Sequence, residues 1–347
     1  MLRIVGIGGG TGLPTLLRGL ALLQESEADE LCVTGIVCVS DNGGSSGRLR
    51  EDFALPAMGD ARNCLVALAS RSSLLGRLFG YRFSGANANG LGGHALGNLI
   101  LTALCQETGS LQRAIDLAGE SMDLCGSVLP VTESAVTLCA MGQDGRFARG
   151  EREIVSARLQ IDRVWLEPEV VPPSRGVLEA LEAADAIVLG PGSLYTSVLP
   201  PLLVAGVADA IRRSAAVRIY VCNLMVEPGE TDNFSASDHL RALEPYLGPD
   251  AIDVCVLNTR RAAGRLMKKY LAVGAAAVRP DPEEVQALGV APLAAELLAE
   301  EAAKARHDPL LLGRVVLDLA RTRVALRRTY VSLGTKVGKV CVESSAT

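Results

Sequence analysis

The chain of 347 residues has few aromatic rings, few histidines and no long apolar run. Aromatic residues make up 3% of it, with a single tryptophan, so bases would find almost no ring platform to stack on. The net charge of −5 is built from mixed signs, which removes the basic footprint of a nucleic-acid binder. Hydrophobic residues reach 49%, yet no uninterrupted apolar run approaches the roughly 18 residues of a membrane span. The N-terminus enters an apolar strand directly, without a charged leader region or cleavage site, so a cytoplasmic protein is expected. The nine cysteines are odd in number and form no C-x-x-C pair, and most sit in apolar stretches, as buried thiols of a reduced compartment do. The only histidines are His94, His239 and His307, none beside a cysteine pair, so a zinc site is not expected.

What the chain does have is glycine in the right places. Ile4-Val5-Gly6-Ile7 breaks into Gly8-Gly9-Gly10-Thr11-Gly12, and Leu13 to Arg18 then carry helical spacing. A strand, a tight loop and a helix N-terminus in succession bring backbone N–H groups and the helix dipole to a phosphate. The dinucleotide pattern G-x-G-x-x-G fails on this loop, and no lysine follows to make a P-loop. A turn that only packs strand against helix is the alternative, and a second loop weighs against it. Ala186-Ile187-Val188-Leu189 reads as a buried strand and runs into Gly190-Pro191-Gly192-Ser193-Leu194-Tyr195-Thr196-Ser197, with Pro200 and Pro201 opening a further helix. Two such loops suggest two walls of one crevice at the carboxyl edge of a parallel sheet.

Near-continuous apolar strands are expected at 2–7, 32–40, 186–190, 217–223 and 253–258. Helical patterns lie at 13–24, 60–70, 94–107, 111–120, 175–184, 202–213, 236–246, 261–271 and 309–321. The fold class expected is α/β, a Rossmann-like three-layer α/β/α arrangement with a mainly parallel sheet. Residues 1–322 form one domain in this reading, with a helical insert at about 60–120. A small β-rich excursion is expected at about 125–170, with a hairpin at Asp144-Gly145. From Arg323 to Lys339, Arg323, Arg327, Arg328, Lys336 and Lys339 stand without an acid, as a loose basic tail or a partner-docking segment. Thr329 in that setting raises the question of phosphorylation.

Several polar clusters are candidates for the crevice. Asp41 ends the second strand beside the glycine loop, where a carboxylate can bond a ribose hydroxyl or hold a divalent ion. Asn42, Ser45 and Ser46 follow it with amide and hydroxyl groups, and Arg48 adds charge; an Asx turn capping the strand is the plainer account. Asp60 reads as a helix N-cap or as a site carboxylate, with Arg62 and Asn63 in the same turn. His94 and Asn98 share a helix face after a third glycine-rich start. Asn223 ends a strand where ligands sit, and Glu227, Glu230 and Asp232 after it read as a solvated loop.

Taken together and in order, these segments resemble the YvcK-type gluconeogenesis-factor family. The resemblance rests on Gly8–Gly12, Ser40–Arg50, Gly59-Asp60-x-Arg62-Asn63-Cys64, Gly93-His94-x-x-Gly97-Asn98, Gly190–Ser197, Asn223-Leu224-Met225, Pro228-Gly229-Glu230-Thr231 and Ser235-Ala236-Ser237-Asp238-His239. It covers roughly residues 3–321 and extends to the 2-phospho-L-lactate transferases of deazaflavin synthesis. It implies a cytoplasmic regulatory protein that binds UDP-sugars, UDP-N-acetylglucosamine above all, linked to carbon partitioning, cell shape and cell-wall precursor supply. Gly9, Gly10, Thr11, Gly12, Gly190, Pro191, Gly192, Ser193 and Thr196 would then hold the diphosphate. Asp41, Asn98 and Asn223 would fix hydroxyls, with Asn42, Ser45, Ser46, Asn63 and His94 beside them. The alternative it implies is a transferase acting on a nucleoside-diphosphate adduct, with Asp41 and Asp60 as metal and catalytic residues for Mg²⁺. Relatives carry a second acid where this chain has Asn42, which weakens a two-carboxylate metal site. A protein partner in cell-wall regulation is expected, and a homo-oligomer is left open.

Overall fold

The computed structural model describes residues 1–26, 30–84, 90–299 and 304–325. Apolar β-branched runs form the centre of the sheet, because strands covered on both faces by helices must be apolar on both. The strands are β1 (Leu2–Gly8), β2 (Leu31–Val37), β3 (Ser127–Pro130), β4 (Thr137–Gly142), β5 (Phe147–Arg149), β6 (Ile161–Glu167), β7 (Ala186–Leu189), β8 (Val217–Val221), β9 (Val254–Asn258) and β10 (Ala291–Ala295). Seven of them make one parallel sheet in the order β10-β9-β8-β7-β1-β2-β3. A separate antiparallel sheet runs β5-β4-β6, joined between its first two strands by the turn at Asp144-Gly145.

The Rossmann-like α/β reading therefore holds, with two corrections to the strands. Ser127–Pro130 is not part of the small β excursion but the edge strand of the main sheet, paired in parallel with β2. The edge strand β10 gave no signal, since Ala-Pro-Leu-Ala-Ala is poor in strand formers and only an edge tolerates its proline. Between β2 and β3 the helices Gly59–Leu68, Leu74–Gly80, Leu96–Thr108 and Leu111–Glu120 fill the expected helical insert. The helix expected over 202–213 is broken into Leu199–Leu202 and Val207–Arg213. Among the described residues no single helix is long and apolar enough to cross a membrane. The basic tail from 326 onward, with Thr329, lies outside the described residues.

One hydrophobic cluster runs from Ile4 to Ala320 and holds the sheet and its helices together. The helix Gly12–Ser26 seals one face of β1 and β2 with Leu13, Leu16, Leu17 and Leu20, all fully buried. Each such leucine contributes about 2 kcal/mol by leaving water. A helix at 309–325 crosses that helix where glycine meets glycine. A Cβ at Gly19 would overlap the carbonyl oxygen of Pro309, and one at Gly313 would come within 2.8 Å of the Gly19 carbonyl carbon.

That crossing positions the segment 304–309 against the crevice, so its strength is a structural matter with functional reach. Gly19→Val is expected to lower stability by about 2 kcal/mol or more through overpacking, read as the midpoint of urea unfolding. An unchanged midpoint would mean that the two helices do not cross in contact.

Candidate functional site

The chain builds β1, β2 and β3 in one direction across the sheet, then returns to β1's other side and builds β7 to β10 outward. Strand order therefore reverses between β1 and β7, and the crevice outside their carboxyl ends is where parallel α/β sheets bind ligands. Both glycine loops end there. A Cβ at Gly12 would overlap the carbonyl oxygen of Pro191, so the loops touch backbone to backbone. Asn223, just past β8, fastens the second loop by accepting the Gly192 N–H at its Oδ1 (3.0 Å). Asn63 fastens the first by donating from Nδ2 to the Gly10 carbonyl (3.1 Å), and is itself held by the Arg62 guanidinium (2.6 Å).

Between the loops lies a cavity of about 430 Å³. Gly9, Gly10, Thr11, Gly12, Pro191, Gly192, Ser193 and Asn223 line it, together with Ser197, Glu227, Tyr270, Lys304, Arg306 and His307. The first-turn N–H groups of helix Gly12–Ser26 have no intrahelical acceptor, and the dipole favours an anion beside them. Two buried polar atoms of residues lining the cavity have no hydrogen-bond partner in the protein, Asn223 Nδ2 and His307 Nε2. Buried polar atoms are nearly always bonded, so this set suits a ligand that offers both donors and acceptors. Burial pushes His307 down to about 4, and its hydrogen bond to the Cys222 backbone only partly offsets that. The ring is therefore neutral, and its free Nε2 is an acceptor.

The β2 side of the crevice is acidic and dry. Asp60 lies under the first loop, where it accepts the Gly10 N–H. Burial and then the neighbouring Asp41 push it up to about 7. Burial, then Asp41 and Asp60, also raise Glu151, which is hydrogen-bonded to Asp41. Glu230 is pushed up to about 8 by burial and Glu227. It accepts the Thr196 hydroxyl at both oxygens (3.1 and 3.3 Å), and the Tyr195 and Thr196 N–H groups as well. Cys38 is held protonated at about 12 by burial and by Asp60, so no thiolate nucleophile stands beneath the loop. Asp41 and Asp60 face one another across this acidic end, but no group of three or more His, Cys, Asp or Glu with metal-ligand spacing occurs among the described residues.

Comparison with known proteins accords with this geometry. Residues 4–298 match the family described as 2-phospho-L-lactate transferase CofD. The gluconeogenesis factor of Halalkalibacterium halodurans is 41% identical over 91% of this chain and 96% of its own length. That of Bacillus subtilis is 38% identical over 92% of this chain and 98% of its own. The crystal structure of a UPF0052-family protein from Bacillus halodurans superposes with a TM-score of 0.86 at 39% identity, covering 91% of this chain and 100% of that one. The chain belongs to the CofD/UPF0052 family.

Within this CofD-family crevice the residues expected from sequence fall into two groups. The loop residues and Asn223 line the cavity, as just described. Ser45, His94 and Asn98 form a separate buried network on the β2 side. Ser45 Oγ lies 2.9 Å from His94 Nδ1 and accepts from Asn98 Nδ2 at 3.1 Å. Burial and Arg48 lower His94, which keeps it neutral there. Ser46 is buried against Gly59. Asn42 turns to the start of the helix Glu151–Ala157, accepting the first-turn N–H of Arg152 (3.1 Å). Thr196 is committed to Glu230, and Gly190 lies behind the cavity wall. Asp60 is not the N-cap of its helix, because Met58 takes that position and Asp60 sits in the buried first turn. Glu230 is likewise buried rather than part of a solvated loop.

Tyr270, Arg306 and His307 escaped the sequence reading because no motif surrounds them and the chain reaches the site with them late. The acid on which the second loop closes, Glu230, could have been read from its place in Pro228-Gly229-Glu230-Thr231.

The raised acids make a signed prediction. Glu230 ionises near 4.5 in an unfolded chain and near 8 here, so unfolding releases a proton between those values and stability falls as pH rises. The three buried histidines act oppositely, but their contribution is complete by about pH 6.5. The melting temperature should therefore drop from about pH 6.5 to about 8.5, and Glu230→Gln should flatten that drop. A slope identical in the variant would show Glu230 ionised throughout.

Proposed function

We propose that the chain is a regulatory protein that binds a UDP-sugar of the UDP-N-acetylglucosamine type in the β1/β7 crevice. One observation carries this reading: two touching glycine loops present free backbone donors beside a cavity of ligand size, with orphaned polar atoms around it and no activated nucleophile. The diphosphate lies over Thr11 and Gly12. Asn223 donates its spare Nδ2 hydrogen, and the neutral His307 accepts from a base N–H or a ribose hydroxyl. Tyr270 supplies a ring at the cavity wall in a chain otherwise short of them. The relatives named gluconeogenesis factors support a regulatory role in carbon metabolism, in which occupancy of the crevice changes affinity for a protein partner.

The second reading is a transferase, favoured by the family match to 2-phospho-L-lactate transferase CofD and by the acidic end of the crevice. Asp41 and Asp60 offer hard oxygen ligands that fit a divalent ion such as Mg²⁺, although no third protein ligand joins them among the described residues. Such an ion would neutralise a leaving diphosphate. Asp60 then keeps the first loop in place through the Gly10 N–H, and Glu151 is hydrogen-bonded to Asp41.

Calorimetric titration separates the two. UDP-N-acetylglucosamine is expected to bind at micromolar concentration without Mg²⁺ and to be recovered intact by mass spectrometry. Asn223→Asp, which keeps the bond to Gly192 but places a charge against the diphosphate, should weaken binding tenfold or more. Binding of GDP alone, and only with Mg²⁺, would overturn the regulatory reading in favour of the transferase.

A further inference from the structure

The glycine loop has a second side. Past Thr11 and Thr15, a groove of about 490 Å³ runs between the helices Gly12–Ser26 and Gly59–Leu68 to the start of Leu74–Gly80. Its floor is small and apolar, with Pro14, Val66, Ala67 and Gly76. Its charge comes from four arginines, Arg18, Arg71, Arg77 and Arg306, and no aspartate or glutamate lines it. Among the described residues none of the four is in a salt bridge. Arg18 reaches the Ala69 carbonyl only at 3.4 Å. In a chain of net charge −5, four arginines bordering one groove without a lining carboxylate stand out from the long-range field.

Groove and cavity meet at Thr11, Thr15 and Arg306, which line both. The nucleoside end of a ligand finds a ring and an acceptor on the cavity side, at Tyr270 and His307. The opposite end of the diphosphate then leaves over Thr11 into the groove. The β2 side carries the carboxyl groups of Asp41, Asp60 and Glu151, which offer an anion no counter-charge. Guanidinium groups match a carboxylate through paired N–H donors, and they keep their charge at every working pH.

We propose that this groove is a subsite for a carboxylate carried on the sugar, so that of two nucleotide sugars alike in all else the acidic one binds more tightly. The inference rests on the UDP-sugar reading of the crevice and goes beyond it by naming the chemistry of the far end. Arg71 and Arg77, both exposed, supply the charge from the outer rim, Arg18 lies between them and the glycine loop in sequence along its helix, and Arg306 also lines the cavity.

UDP-glucose and UDP-glucuronic acid differ only in a hydroxymethyl against a carboxylate, so the pair isolates this contact. Calorimetric titration of the full chain with each, at one fixed ionic strength, should show UDP-glucuronic acid binding at least tenfold more tightly. The double variant Arg71→Ala/Arg77→Ala should reduce that preference to under threefold and leave UDP-glucose affinity unchanged, with its melting temperature confirming the fold. Equal affinities in the wild type, or a preference that survives the double variant, would overturn the subsite. If neither nucleotide sugar binds, the UDP-sugar reading itself fails and the subsite falls with it, a result distinct from equal binding.

Discussion

The close approach of two backbone loops at the point where strand order reverses is the constraint on which the rest of this protein depends. Gly12 lies against the Pro191 carbonyl with no room for a side chain, and that contact brings the carboxyl ends of β1 and β7 into one wall. The remaining polar groups of the crevice hold the arrangement. Asn63 and Asp60 bind the first loop through the Gly10 carbonyl and N–H, while Asn223 and Glu230 bind the second through Gly192 and the turn after it. Four side chains from three segments, the helix Gly59–Leu68, the end of β8 and the turn at 227–232, hold the two loops. Fastening of that kind suits a site whose geometry must be fixed before its ligand arrives.

The cost appears as protons. Asp60 and Glu230 are buried where an ionised carboxylate is poorly solvated, and each is held above the ordinary carboxylate range. As neutral or half-ionised groups they still accept the backbone N–H groups that shape the loops, without placing full negative charge beneath a diphosphate. The arginines of the outer groove balance this from the other side. The crevice is thus polar along its length, acidic towards β2 and basic past Thr11, with the neutral backbone donors of the glycine loop between them.

Much of this was legible in the sequence, and what escaped did so for physical reasons. The central strands and both glycine loops announced themselves because a strand buried on both faces must be continuously apolar and its loop must be small. The edge strands were less legible. Both are short, pair on one side only and carry prolines: Ser127–Pro130 read as β but not as part of the main sheet, and Ala291–Ala295 left no signal. Within the site, the residues that motifs named are the ones that shape backbone: Gly12, Asn63, Thr196 and Asn223. The residues left out, such as Tyr270, Arg306 and His307, reach the cavity through tertiary packing of an otherwise ordinary helix and a short connection. Asp60 was visible as an acid at a helix start, but its depth was not, since only the three-dimensional packing of Cys38 and the glycine loop around it removes water.

The central claim is that the touching glycine loops are the diphosphate seat. A crystal structure of the full chain grown with UDP-N-acetylglucosamine tests it most directly. The account predicts diphosphate oxygens within hydrogen-bonding distance of the Thr11 and Gly12 N–H groups and of Asn223 Nδ2, with the base on the His307 side. A nucleotide whose diphosphate sits instead among Asp41, Asp60 and Glu151, or outside the β1/β7 crevice altogether, would contradict it.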